Sequence, residues 1–160
     1  MTDPATLNAL SAPLTVQLLD VVEELAADPA VRVVVLTGAD PAFSAGGDLR
    51  LMRDFAQPAL RDGDEGAAAI WRWVRRQFGG VARTIVGADT AFVAAVNGAA
   101  AGVGLAFALA CDVVVVSERA RIVPAFGRME GVEGALHAGL WCAGALLLAD
   151  WRLSSIAGRG

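Results

Sequence analysis

Val31-Arg32-Val33-Val34-Val35-Leu36-Thr37-Gly38, followed by Phe43-Ser44-Ala45-Gly46-Gly47-Asp48, is the stretch from which the architecture unfolds. A β-branched run of this kind is typical of a buried parallel strand. Gly38, Asp40 and Pro41 then supply a loop, and Gly46-Gly47 a turn in which the backbone can approach another group closely. Upstream, residues 14–27 place Leu14, Leu18, Val21, Val22 and Leu25 on one face of a helix that ends at Asp28-Pro29. Downstream, residues 91–96 read as a second buried strand and residues 98–104 as a glycine-rich turn. A short apolar helix over 105–110 and a third strand over 113–116 follow. This alternation predicts one α/β domain built of parallel βα units. Residues 50–80 are the most polar part, with Trp71 and Trp73 on a helix whose docking the pattern does not fix. No internal repeat or low-complexity tract stands out.

At 160 residues the chain is long enough for one domain with a hydrophobic core, and a composition 56% hydrophobic and 19% charged excludes a disordered chain. A net charge of -4 with no dense basic stripe argues against nucleic-acid binding. The one basic cluster, Arg72, Arg75 and Arg76, reads as a solvated helix face in preference to an anion site. Cys111 and Cys142 lie in apolar surroundings without metal-like spacing, as buried thiols of a reducing compartment do. Residues 1–4 begin no basic-then-apolar leader, so a cytoplasmic location is expected. The apolar segments 92–116 and 135–149 are not read as membrane spans: the first is interrupted by Asn97-Gly98, Gly102, Gly104 and Asp112, and the second is too short.

The two glycine turns, at Gly46-Gly47 and at residues 98–104, each follow a buried strand. Amides at a helix start point outward without helical partners, so each turn can aim an N–H at an anion. Two such donors aimed at one point would form an oxyanion hole, able to stabilise the charge that develops when a thioester becomes an enolate. The residues alone support no more than this, since a glycine turn after a strand is ordinarily just a turn.

Three ordered motifs carry a resemblance to the enoyl-CoA hydratase/isomerase (crotonase) family. They are Pro4-Ala5-Thr6-Leu7-Asn8-Ala9-Leu10, residues 31–49 ending Phe-Ser-Ala-Gly-Gly-Asp-Leu, and residues 94–117 containing Asn97-Gly98-Ala99-Ala100-Ala101-Gly102-Val103-Gly104 and Ala110-Cys111-Asp112-Val113. The resemblance covers most of residues 4–128. It implies a crotonase-like (ClpP/crotonase) spiral of ββα units that binds an acyl-CoA thioester, with coenzyme A as part of the substrate and no separate cofactor. It also implies a homo-oligomer, a trimer or a dimer of trimers. By motif matching, the oxyanion donors fall on the backbone of Gly47 and Val103. Ala5, Thr6, Leu7, Ala45, Gly46 and Gly102 line the substrate site, and Asp48, matched to the same site, is read as an anchor of the turn or a cap of the helix after it. Where the family more often has glycine this chain has Val103, and valine adopts positive φ with difficulty.

The two glutamates of the family's hydratases match Ala106 and Phe126, neither of which moves a proton, so hydration by the two-carboxylate route is not expected. Members without these glutamates carry out isomerisation, hydrolysis, decarboxylation or C–C cleavage. Phe126-Gly127-Arg128-Met129 resembles the next motif but continues Glu130-Gly131-Val132-Glu133-Gly134, one or two residues out of step. Glu133 is the best match to that turn's carboxylate and Glu130 the second; each has the alternative of a solvated loop position. No resemblance is recognised from residue 135 onward, where the family continues with a pocket-closing helical region, and the family's opening strand pair is not found before Pro4. A reading-frame shift near Glu130 would account for the tail, and the DNA in the other frames tests it.

His137, the one histidine, lies in that tail, which leaves nucleophilic triads little support. Metal-ligand clusters are missing from the sequence, and a dinucleotide fingerprint at Gly102-Val103-Gly104 fails where its third small residue would be Phe107. The expectation is an acyl-CoA enzyme, with a non-catalytic acyl-CoA-binding or assembly subunit, or an inactive fragment, as the alternatives.

Overall fold

Two parallel three-stranded sheets arise because the chain repeats one step: a strand in the first sheet, a strand in the second, then a helix back. The computed structural model describes residues 1–124, except for the side chains of 52, 55–61, 63 and 67. After a 3-10 turn at Pro4–Thr6 comes helix α1, Ala12–Ala27, capped by the Ser11 hydroxyl, which accepts from the Leu14 N–H. Strands β1 (Val33–Thr37) and β2 (Ala42–Ser44) lead into the long helix α2, Leu49–Gly87. Strands β3 (Ala91–Val96) and β4 (Ala99–Ala101) lead into α3, Gly102–Ala110, and β5 (Val113–Val116) and β6 (Arg121–Val123) follow. The first sheet has the order β1-β3-β5 and the second β2-β4-β6. This is a ββα spiral, and its repeat is structural, without a matching repeat of sequence.

The predicted helix and the three predicted strands are present, with the first strand starting at Val33, two residues after its predicted start, because the Val31 N–H still closes the turn onto the Asp28 carbonyl. The glycine-rich turn predicted over 98–104 is corrected. Ala99–Ala101 form a strand, and the helix starts at Gly102, three residues before the predicted start at Leu105. Three alanines carry no signal of strand over helix; what decides is pairing, Ala99 and Ala100 lying between β2 and β6.

Register fixes which side of the first sheet meets the helices. Val34, Leu36, Phe92, Ala94 and Val96 are buried against α1, α2 and α3, with Leu18, Leu19, Val22, Phe78, Val81, Ile85 and Phe107 completing the core. The docking of the polar middle segment is settled by its aromatic residues. Trp73 meets Phe78 edge-on at 5.4 Å, and Phe78 lies 6.4 Å from Phe107 of α3. Gly80 leaves room for Leu19 of α1, whose methyl carbons would sit 3.0 Å from any added Cβ. Arg72, Arg75 and Arg76 are exposed, as a solvated helix face requires. Among the described residues, no helix is long and apolar enough to cross a membrane.

Candidate functional site

Three segments that the sequence motifs singled out meet at one place. The 7–10 segment runs beside the 45–48 turn: the Ala45 N–H donates to the Leu7 carbonyl at 2.9 Å, Leu10 N–H to the Gly46 carbonyl at 2.7 Å, and Asp48 N–H to the Leu10 carbonyl at 3.3 Å. The Gly47–Leu10 bridge is parallel, so Gly47 directs its own N–H away from the 7–10 segment. Among the described residues this N–H donates to none.

Gly46 closely approaches the entry to α3. Gly46 has φ 89°, and a Cβ there would lie 2.8 Å from the Ala101 carbonyl oxygen and 3.5 Å from the Gly102 Cα. Only glycine allows both the conformation and the approach. Ala101 occupies the N-cap of α3 and makes no side-chain cap, so the amide of Val103, in the first turn, has no capping acceptor. Gly47 and Val103 therefore each stand one residue beyond this close backbone approach, each with a backbone N–H that the local secondary structure leaves unused.

The concern raised by valine at 103 is corrected by the backbone. The left-handed conformation belongs to Gly102, at φ 49°, and Val103 is an ordinary helical residue with its side chain in the core. Ala45 and Leu7 are exposed beside the turn, whereas Gly46 and Gly102 are buried beneath it. Ala5 and Thr6 lie in the 3-10 turn, where the Thr6 hydroxyl donates to the Asp3 carbonyl at 3.2 Å. Leu7 itself has φ 56°, a strained geometry for a non-glycine residue, at the rim of the site.

Asp48 is held by structure. It caps α2 by accepting from the Arg50 N–H at 2.8 Å, and its carboxylate is gripped by the Arg50 guanidinium, with Nη2 at 2.8 Å and Nε at 3.2 Å from both oxygens. These side-chain bonds from Arg50, seconded by its backbone N–H, hold the Asp48 carboxyl below its ordinary value of 3.8. An ionised, fully engaged carboxylate is a poor proton carrier. Ala106 lies on α3, one turn after Gly102; Phe126, Glu130, Glu133, His137 and Cys142 lie outside the described residues. Cys111 is buried, its thiol directed at the Phe107 carbonyl at 3.3 Å, as a structural thiol would be. No group of metal-ligating residues occurs among the described residues.

Sequence reasoning passed over the residues that fasten the segments together. Asn8, wholly buried with φ 57°, accepts from the Asp3 N–H at 2.9 Å and donates to the carbonyls of Ala39 and Ala42, each at 2.7 Å. Asn97 donates to Asp40 Oδ1 at 3.1 Å and so joins the loops after β1 and β3. The available signal was asparagine itself, the non-glycine residue most at ease with positive φ and able to bond backbone on both sides.

The Enoyl-CoA hydratase/isomerase family model matches residues 1–142. The chain belongs to the enoyl-CoA hydratase/isomerase family. The match runs beyond both ends of the 4–128 span recognised from motifs. The chain is 38% identical over 120 residues to the 2,3-dehydroadipyl-CoA hydratase of Escherichia coli K12, covering 74% of this chain and 41% of that one. It is 29% identical over 156 residues to the 1,2-epoxyphenylacetyl-CoA isomerase of the same organism, covering 98% of this chain and 52% of that one. The crystal structure of an enoyl-CoA hydratase from Mycobacterium avium subsp. paratuberculosis superposes with a TM-score of 0.61 at 33% identity, over 79% of this chain and 43% of that chain. The fold is accordingly the crotonase fold, and the chain spans about half the length of the relatives it matches.

Proposed function

We propose that this family member binds an acyl-CoA thioester and polarises its carbonyl between the backbone N–H groups of Gly47 and Val103. The observation that supports the reading is the close approach of Gly46 to Ala101 and Gly102, next to which stand the two unused amides. Backbone donors fixed by secondary structure need no reorganisation as charge builds on the oxygen, and this is where such sites gain most of their effect. Leu7 and Ala45, exposed and hydrogen-bonded to one another, form the rim along which the pantetheine and acyl portions lie. Coenzyme A enters as part of the substrate, with no separate cofactor. With Ala106 in place of one glutamate and Asp48 engaged by Arg50, proton transfer falls to Glu133 or, second, Glu130, and favours isomerase-type movement of a proton beside the carbonyl over hydration. A cytoplasmic location and a homo-oligomer, trimer or dimer of trimers, belong to the same proposal.

The second reading, a non-catalytic acyl-CoA-binding or assembly subunit, is favoured by Ala106 and by the apolar sheet face described below. Calorimetric titration with crotonyl-CoA and with free CoA, with product assayed in the same samples, separates the two. Saturable binding with turnover supports the enzyme, binding without turnover supports the acyl-CoA-binding subunit, and no binding contradicts both of these and leaves only the assembly role or an inactive fragment.

A further inference from the structure

Two donors on separate turns are useful only while the turns keep their spacing, and one side chain touches everything that sets it. Ser44, at the end of β2, is wholly buried. Its hydroxyl donates to the Asn8 carbonyl at 2.9 Å and accepts from the Gly46 N–H at 3.1 Å. A Cβ on Gly104 would fall 2.5 Å from the Ser44 Cβ and 2.6 Å from its Oγ, so the first turn of α3 rests directly on this side chain. Ser44 thus joins the 7–10 segment, the Gly46-Gly47 turn and the start of α3, the three pieces that form the site. It lies beneath them and acts through the backbone they present.

We infer that Ser44 is the positioning residue of the oxyanion hole: its hydroxyl fixes the Gly46-Gly47 turn, and its bulk fixes the height of the α3 amides against that turn. The inference rests on the thioester-binding reading above. Removing the hydroxyl leaves the Gly46 N–H and the Asn8 carbonyl without this buried partner, and the turn is then free to seek another arrangement. Cysteine keeps the bulk with a weaker donor and acceptor.

The test is difference infrared spectroscopy of an acyl-CoA labelled with carbon-13 at the thioester carbonyl, bound to the wild type, Ser44→Ala and Ser44→Cys. Affinity for the same acyl-CoA and for free CoA is measured alongside. In the wild type the bound carbonyl band lies below that of the free thioester. Ser44→Ala is expected to return the band at least halfway to the free value and to weaken acyl-CoA about tenfold, with free CoA held within twofold; Ser44→Cys falls between. Both variants keeping the wild-type band, whatever their thermal stability, would overturn the inference and leave the function standing. If Ser44→Ala does not fold, Ser44→Cys decides alone: a shifted band supports the inference and an unchanged one overturns it. A wild type that binds no thioester brings down the site itself and this inference with it, a result distinguishable because it appears before any substitution.

Discussion

At Gly46 a methyl group would have to share space with the Ala101 carbonyl oxygen in a backbone conformation that L-residues rarely adopt. Gly46→Ala should therefore lower stability by about 1–3 kcal/mol from conformational strain alone, and should abolish acyl-CoA binding, as urea melts and calorimetry would read together. Val103 makes the opposite prediction. Its functional group is the backbone N–H, and its side chain is core, so Val103→Ala should cost roughly 1–2 kcal/mol in the same melts while leaving acyl-CoA affinity within about threefold. A large loss of affinity at unchanged stability would contradict a backbone role. Asp48 predicts a pH dependence. Its folded-state value is depressed below 3.8, so its contribution is present above the unfolded value and is lost as pH falls through the folded one. The stability difference between wild type and Asp48→Asn should be flat from pH 8 to about pH 5 and shrink below about pH 4, a profile that denaturant melts across pH would show.

Elements form the site by being tied to one another, and Asn8 is the strongest of these ties. Asn8→Ala leaves the Ala39 and Ala42 carbonyls and the Asp3 N–H without this partner, which should lower stability by about 2–4 kcal/mol in urea melts, far beyond a surface change. At this scale the sequence was legible where one force dominated. The valine-rich runs of β1 and β5 follow from β-branched propensity, the amphipathic α1 from the burial of one face, and the helix cap at Asp48 from chemistry local to one turn; burial of the strands on both faces does not hold, since β1 is exposed on alternate residues and β5 throughout. What escaped was whatever depends on a distant partner. The short strands β2, β4 and β6 exist because each has a neighbour to pair with, and Ala99–Ala101 would suit a helix as well. Ser44 and Asn8 look like ordinary loop residues until the backbone groups they bind, more than thirty positions away, are brought beside them. The site residues Gly47 and Val103 were found by resemblance, and the reason that valine is acceptable there, a left-handed Gly102 before it, is visible only in three dimensions.

At the largest scale, among the described residues, one face of the first sheet carries the helices and the other is apolar and exposed. Val33, Val35, Val113 and Val115 are 54%, 60%, 52% and 58% exposed, and register places Val35 in line with Val93 and Val113. A contiguous apolar face of this kind promotes association. The chain should self-associate with rising concentration in sedimentation velocity, and Val35→Glu with Val115→Glu should suppress this without unfolding it, since both side chains already meet solvent. The central claim concerns two backbone amides, and it is tested most directly by following the amide resonances of Gly47 and Val103 as crotonyl-CoA is added. Both protons should move downfield along one binding curve, while free CoA leaves them nearly in place. Saturable binding in which neither amide moves, or only one does, would contradict the oxyanion hole.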